Sequence, residues 1–374
     1  MTESLLPASN ATPFDRAAEQ VLAVGAVLGE AVTAFRHFRA KALSSVSKRV
    51  LMAEYGFLPL LNFGVSADAA WNQGRAFLDT RGTVAAVAAG LAMLDQAGAV
   101  EDVPPRWRRW NRFQAALAAW PADEVPRLRN LEGLVQFSAP ERSRFVRGFA
   151  GYDIRPLEAS FGAASETLLS DWSGVSIDGG KARWSFGRRH EFDATLTPSE
   201  LTALGVWIAP SAGPFTWAMM HFPWDLAHFA WGVTVNDVRR GLMLALLRRM
   251  SCWVEFKTSS GAVIGYRKAR ARHLVQAGSA GGYAIGAQNY TVAPAGAALL
   301  YIEALTGFAD GFGAVAASAA LRFGAAPKAT EKPGLAWASA AQLDLPYPAV
   351  ASRPVTLDFR RTFRESLRTL LRIA

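Results

Sequence analysis

Leu357-Asp358-Phe359-Arg360-Arg361-Thr362-Phe363-Arg364-Glu365-Ser366-Leu367-Arg368-Thr369-Leu370-Leu371-Arg372-Ile373 has the most regular pattern in the chain. At helical spacing, Phe359, Phe363, Leu367, Leu370 and Leu371 share one face. Arg360, Arg364 and Arg368 then form an i, i+4 stripe, widened by Arg361 and Arg372. The stretch is expected to be an amphipathic helix, apolar inside and basic outside.

Moving towards the N-terminus, other helical signals line up with it. Thr12-Pro13-Phe14-Asp15 reads as a capped start. Val21, Leu22, Leu28, Val32 and Phe35 follow at helical spacing. Unbroken to Glu54, that helix would be roughly 60 Å long. Gly56 and Pro59 end it. Ser66–Asp79 and Thr83–Ala97 read as two more helices. Arg106–Trp120 reads as a fourth, with Trp107, Trp110, Phe113, Leu117 and Trp120 on its apolar side. Thr197-Pro198-Ser199-Glu200 is another capped start, and Trp224–Met250 returns to helical spacing.

Residues 133–195 carry short apolar runs between Gly, Pro, Ser and Asp clusters, as strands do. Leu134–Phe137, Arg144–Val146 and Ala182–Phe186 are examples, with a turn at Asp178-Gly179-Gly180. Trp253–Tyr266 reads as a hairpin turning at Ser259-Ser260-Gly261. Tyr283–Val292 is a further strand. Residues 295–323 are ambiguous, since Ala favours helix and Gly weakens it. The expected fold class is α+β, elongated, with a helical bundle and a twisted antiparallel sheet. The helical region combines 12–129, 198–250 and 357–373. The β-region combines 133–195 and 251–292, and 293–356 is a connecting segment.

The chain has 374 residues and is 51% hydrophobic, enough for a substantial core. Its 40 Lys and Arg outnumber 31 Asp and Glu, giving a formal charge of +9. That balance suits an acidic partner or a solvated basic surface. One cysteine, Cys252, excludes an intrachain disulfide and a cysteine-rich zinc site. Met1–Pro13 shows no secretory signal. Ala203–Trp224 and Ala293–Leu321 are each too interrupted to read as a membrane span.

Catalytic patterns are absent. None of His37, His190, His221, His228 and His273 sits in a His-Glu-x-x-His pattern. His221, Asp225 and His228 could share a helix face, but Pro223 and aromatic neighbours favour packing over metal binding. No Gly-x-Ser-x-Gly elbow or phosphate-binding glycine loop occurs. The chain is read as a non-enzyme without metal or cofactor. Basic clusters are more informative. Arg106, Arg108, Arg109 and Arg112 alternate with aromatics. Arg239-Arg240, Arg248-Arg249, the 267–272 run and the C-terminal stripe add four more groups. One group alone is a solvated face; five point to phosphates. About ten phosphate contacts would give a log–log salt slope of roughly −7 to −9.

Tyr55-Gly56-Phe57-Leu58-Pro59-Leu60 resembles the aromatic-Gly-aromatic-Leu-Pro-Leu motif of maturation (A) proteins of levivirus-like single-stranded RNA bacteriophages. Pro223-Trp224, Trp231, Val235-Asn236 and Gly241-Leu242 resemble a later segment of that family. The hairpin at Cys252–Gly265 and the basic segment opening at Thr356-Leu357-Asp358 follow in the same order. Ala230 stands where the family has an acid. About two-thirds of the chain is covered.

The resemblance implies a virion protein, made in the host bacterial cytoplasm and present once per particle. It would replace a coat-protein dimer, bind stem-loops near the 3′ end of the genomic RNA, and attach the particle to host pilin for RNA entry. With that job, the basic clusters read above would supply the RNA contacts: Arg106, Arg108, Arg109, Arg112, Arg239, Arg240, Arg248 and Arg249, with Arg360, Arg364 and Arg368 as further contacts. Trp172, Trp184 and Phe186 would meet the pilus or else belong to the core. The competing reading is a peripheral membrane protein using the basic C-terminal helix.

Overall fold

A computed structural model describes residues 12–22, 45–103, 110–151, 173–210, 235–279, 282–293, 299–332 and 334–374. The predicted C-terminal helix is not one. Val350–Asp358 and Phe363–Ile373 are strands. Within the second, burial alternates: Phe363, Glu365, Leu367, Thr369, Leu371 and Ile373 are buried, while Arg364, Ser366 and Arg368 are half-buried and Arg372 is exposed. A spacing of four is even, so an arginine stripe at i, i+4 fits one face of a strand as well as one face of a helix. The alternation of Phe363, Leu367, Thr369 and Ile373 with polar residues is the strand signal.

In chain order the helices are α1 (Pro13–Leu22), α2 (Ser45–Glu54), α3 (Ala67–Thr80), α4 (Val84–Met93), α5 (Arg127–Ser138), α6 (Pro198–Ala203) and α7 (Val235–Arg249). The strands are β1 (Gly98–Asp102), β2 (Arg112–Leu117), β3 (Arg144–Gly151), β4 (Arg183–Leu196), β5 (Cys252–Lys257), β6 (Val263–Gly278), β7 (Tyr283–Ile285), β8 (Gln288–Val292), β9 (Leu299–Leu305), β10 (Val315–Phe323), β11 (Ala326–Pro327), β12 (Trp337–Ala338), β13 (Leu343–Asp344), β14 (Val350–Asp358) and β15 (Phe363–Ile373). The fold is mixed α+β. Its main sheet runs β1-β2-β3-β4-β15-β9-β6-β5-β10-β14. The sheet is mixed rather than antiparallel: β2, β3, β4 and β15 run parallel, and the β9 side is antiparallel.

Several other expectations are corrected here. Residues 112–117 form β2 instead of the end of a fourth helix, because Phe113, Ala115 and Leu117 alternate into the core. Residues 133–138, expected to open the strand region, belong to α5 (Arg127–Ser138): Leu128, Leu131, Leu134 and Val135 bury one helical face. The helix forms the crossover between parallel β2 and β3. Residues 299–305 and 315–323 are strands, so the supposed connecting segment supplies β9, β10 and β14 to the sheet. Expected features that do stand include the 252–265 hairpin, with its turn at 258–261, and the capping box of α6 at Thr197 and Glu200.

Two apolar cores lie along the sheet. In the first, α3, α4 and α5 cover the inner face of β1–β4. Phe57 and Leu60 of the Tyr55–Leu60 motif are buried there. Phe57 lies against Gly74 of α3, where a Cβ would stand 2.7 Å from its ring. Rings cross the strands as a ladder: Phe113–Phe145, Phe145–Trp184, Trp184–Phe186, Phe186–Phe363 and Phe363–Trp120 all have centroids 5.3–6.2 Å apart. Trp184 lies over Gly148, its partner on β3.

In the second core the sheet rolls up. Val254, Phe256, Ile302, Ala304, Leu321, Leu357, Leu367 and Leu371 face inward, and α6 and α7 add Leu201, Leu204, Met243, Leu244 and Leu247. The last strand, β14, comes back beside β4. Arg188 Nη2 donates to Asp358 O at 2.7 Å, and Ala351 N donates to Glu200 Oε1 at 3.0 Å.

Gly148→Ala is expected to destabilise the fold by about 1–3 kcal/mol through overpacking against Trp184, read from urea unfolding. Glu200 gives a pH prediction. Burial raises its pKa, but bonds from Thr197 N, Ala351 N and the Thr197 hydroxyl, with Arg353 nearby, leave it below 4.5. The ionised form therefore stabilises the fold above pH 4.5, and that contribution is lost as pH falls through the folded value. Glu200→Gln should lower stability at pH 7 by about 0.5–2 kcal/mol and flatten the acid limb of a stability–pH curve. An unchanged acid limb would show that Glu200 does not close the roll.

Candidate nucleic-acid interface

Positive charge is unevenly divided. Residues 188–374 hold 20 Lys and Arg against 12 Asp and Glu, while residues 1–187 hold 20 against 19. The excess thus follows the rolled half of the sheet and not the helix-covered half.

β-Register arranges much of this charge. The outward face of β4 presents Arg189, Glu191 and Asp193 beside Ser366, Arg368 and Leu370 of β15. Glu303 of β9 stands between Arg368 and Arg270 of β6. Arg372 binds Asp193 with two bonds, at 3.0 and 2.6 Å. Arg272 pairs with Glu303. Arg368 lies 3.8 Å from Glu191 and donates to Ala284 O at 3.2 Å. The β7–β8 hairpin lies over part of this face, with Tyr283 and Ile285 packing on Tyr301 and Leu370. Arg364 to Arg372 spans eight residues, about 26 Å along an extended strand. The outer face is a lattice of arginines with three interspersed acids.

A second cluster lies where α7 ends. Arg248 Nε donates to Arg272 O at 3.1 Å, and Arg249 is exposed beside it in sequence. Burial, together with the charges of Arg248 and Arg272, holds His273 below its usual pKa of 6.5. His273 is therefore neutral near pH 7, and the arginines alone carry the positive charge.

The predicted RNA contacts divide accordingly. Arg106, Arg108 and Arg109 lie outside the described residues, as do Trp172, Pro223, Trp224, Trp231 and the His221–Asp225–His228 trio. Arg112 is half-buried at the start of β2, opposite Arg144. Arg239 is buried, donates to Ile208 O at 3.0 Å and sits 5.1 Å from the centre of the Trp207 ring. It secures α7 and is not a surface contact. Arg240 is half-buried, 4.0 Å from Asp237. Arg248 and Arg249 are exposed. Arg360 is held by Asp358 at 2.6 Å and by Ala122 O, so it fixes a turn. Arg364 and Arg368 share the outer face of β15, though on a strand. Trp184 and Phe186, offered as pilus contacts, are 1% and 0% exposed in the aromatic ladder. They are core residues.

Sequence reasoning missed Arg189. Its signal is the alternation Arg189, Glu191, Asp193 against Phe192 and Ala194 on β4. Cys252 is buried, and burial pushes its thiol to about 12, which removes it as a nucleophile. Among the described residues no three His, Cys, Asp or Glu gather as a metal ion would need, and no helix is long and apolar enough to cross a membrane.

At the junction of the two cores sits a buried ion cluster. Glu365, 1% exposed, is paired with Arg188 and lies 2.8 Å from His190 Nε2. Its backbone N–H donates to Thr306 Oγ1 at 2.7 Å. No protein-family model matches the chain, and no curated protein matches it.

Glu365→Ala would leave half-buried Arg188 without its carboxylate partner and open a gap between the two cores, and should cost about 2–4 kcal/mol of stability. Arg188→Met with Glu365→Leu should recover most of that loss in equilibrium unfolding. A single variant as stable as wild type would show that the cluster is unimportant.

Proposed function

We propose that this chain is a virion maturation and attachment protein whose main biochemical act is binding folded, single-stranded genomic RNA through phosphates. The observation that carries the reading is the concentration of positive charge on residues 188–374, displayed on the sheet and at the end of α7. RNA backbones are read by charge and shape, which suits a fixed array of guanidiniums. The ordered resemblance around Tyr55–Leu60 and along the second half supplies the rest. On that basis the protein, one per particle, takes the place of a coat-protein dimer, holds stem-loops near the 3′ end of the genome and attaches to a host pilus. An elongated shape with separate genome-facing and receptor-facing ends belongs to the same reading, as does the absence of catalysis.

The membrane-surface alternative rested on an amphipathic C-terminal helix. That segment is β15, paired on both sides within the sheet.

Binding of a structured RNA should weaken linearly with log salt, at a slope of about −4 to −5 for six phosphate contacts. Replacing Arg189, Arg270 and Arg372 together with Ala should shallow that slope by roughly 2–3. Arg239→Ala should instead lower stability and leave the slope unchanged. Salt-independent binding, or none, would falsify the reading. Cross-linking in purified particles that joins no genomic RNA to this chain would do the same.

A further inference from the structure

Two arginine–aromatic stacks meet beside the turn from β14 to β15. The Arg361 guanidinium carbon lies 4.8 Å from the centre of the Phe312 ring, and that of Arg364 lies 5.3 Å from Phe308. Phe312 is 51% exposed. An aromatic ring that open is usually on a loose loop, but this loop is fixed. Asp310 accepts from Gly307 N at 2.6 Å and from Arg267 Nη1 at 2.9 Å. Gly313 N donates to Phe359 O, and Phe359 N donates to Ala314 O, both at 3.0 Å. Gly311 has a φ of +62°, and a Cβ there would stand 3.1 Å from the Phe359 ring. On the other flank of the turn, Trp120 is 44% exposed and packs edge-on against Phe363. Thr362 N donates to Glu124 Oε1 at 2.8 Å, tying that flank down.

The result is an open aromatic ring on a pre-ordered backbone, with a guanidinium stacked beside it. It adjoins β15, which carries Arg364, Arg368 and Arg372. Protein partners are also recognised by aromatic and Arg residues. Here the continuity with an arginine-bearing strand favours a nucleic acid, because stacking and phosphate contacts then lie side by side. We propose that Phe312, supported by Arg361, stacks an unpaired base of RNA, as found in a hairpin loop. This rests on the RNA-binding reading above.

The test uses the full chain and two RNAs: a hairpin with a uridine loop and a blunt duplex of the same stem. Fluorescence anisotropy gives both affinities for wild type, Phe312→Leu, Phe312→Tyr and Arg361→Ala. Wild type should prefer the hairpin. Phe312→Leu should weaken hairpin binding roughly 5- to 100-fold and leave the duplex within about twofold. Phe312→Tyr should retain the preference, and Arg361→Ala should lose part of it. Unfolding midpoints of the variants should match wild type, since the ring is half open. Equal affinity of wild type for hairpin and duplex, or a Phe312→Leu protein with full hairpin affinity, overturns the base-stacking assignment alone. A wild-type protein that binds neither RNA overturns the RNA-binding reading as well.

Discussion

The carboxylate of Glu365 is the constraint on which the sheet depends. It lies on the inward face of β15, between Phe363 of the helix-covered core and Leu367 of the rolled core. An ionised group there is tolerable only with partners, and β4 supplies two of them at the right register, Arg188 and His190. Arg188 also reaches Asp358 O on β14. One guanidinium thus ties three strands, two neighbours in the sheet and one returning across the roll. The cluster divides two cores that a single apolar face would otherwise merge, and it fixes the pairing of β15 with β4, since a one-residue slip would turn Glu365 outward.

Once β15 is set in this way, its even-numbered residues must face outward. Charge on the rolled half then follows from strand alternation, not from a helical stripe. Ion pairing is extensive, so much of the arginine is structural as well as cationic: Arg372 with Asp193, Arg272 with Glu303, Arg322 and Lys257 with Glu255. For Glu255, burial raises the pKa, but bonds from Lys257 and Arg322 more than offset it and keep the group ionised. Paired surface arginines still offer donors to phosphate, because an exposed ion pair holds its partners only weakly.

Local chemistry made part of the fold legible. The capping box at Thr197–Glu200, the Ser259–Gly261 turn and the Gly56–Pro59 break each depend on neighbouring residues, and each is where the sequence places it. The C-terminal segment was misleading for a definite reason. Arginines four apart satisfy both periodicities, and the burial of Glu365 depends on Arg188 and His190 of β4, which lie far away in sequence. Residues 133–138 were misread because the run Leu134–Phe137 fits a strand length as well as a helix face. In the site, exposed Arg248 and Arg249 were visible in sequence. The burial of Arg239 was not, because its acceptor is the carbonyl of Ile208, 31 residues away. Trp184 and Phe186 were misassigned for a similar reason: the ring ladder that hides them joins β2, β3, β4 and β15.

The place of β15 also bears on how the molecule is made. It lies between β4 and β9, and its central salt link joins residues 177 positions apart. Until it docks, β4 and β9 each keep an unsatisfied edge, and neither core has its dividing wall. Contacts between residues so far apart in sequence slow folding. A chain with β15 undocked would present two unpaired strand borders, the kind of edge that invites pairing with other copies.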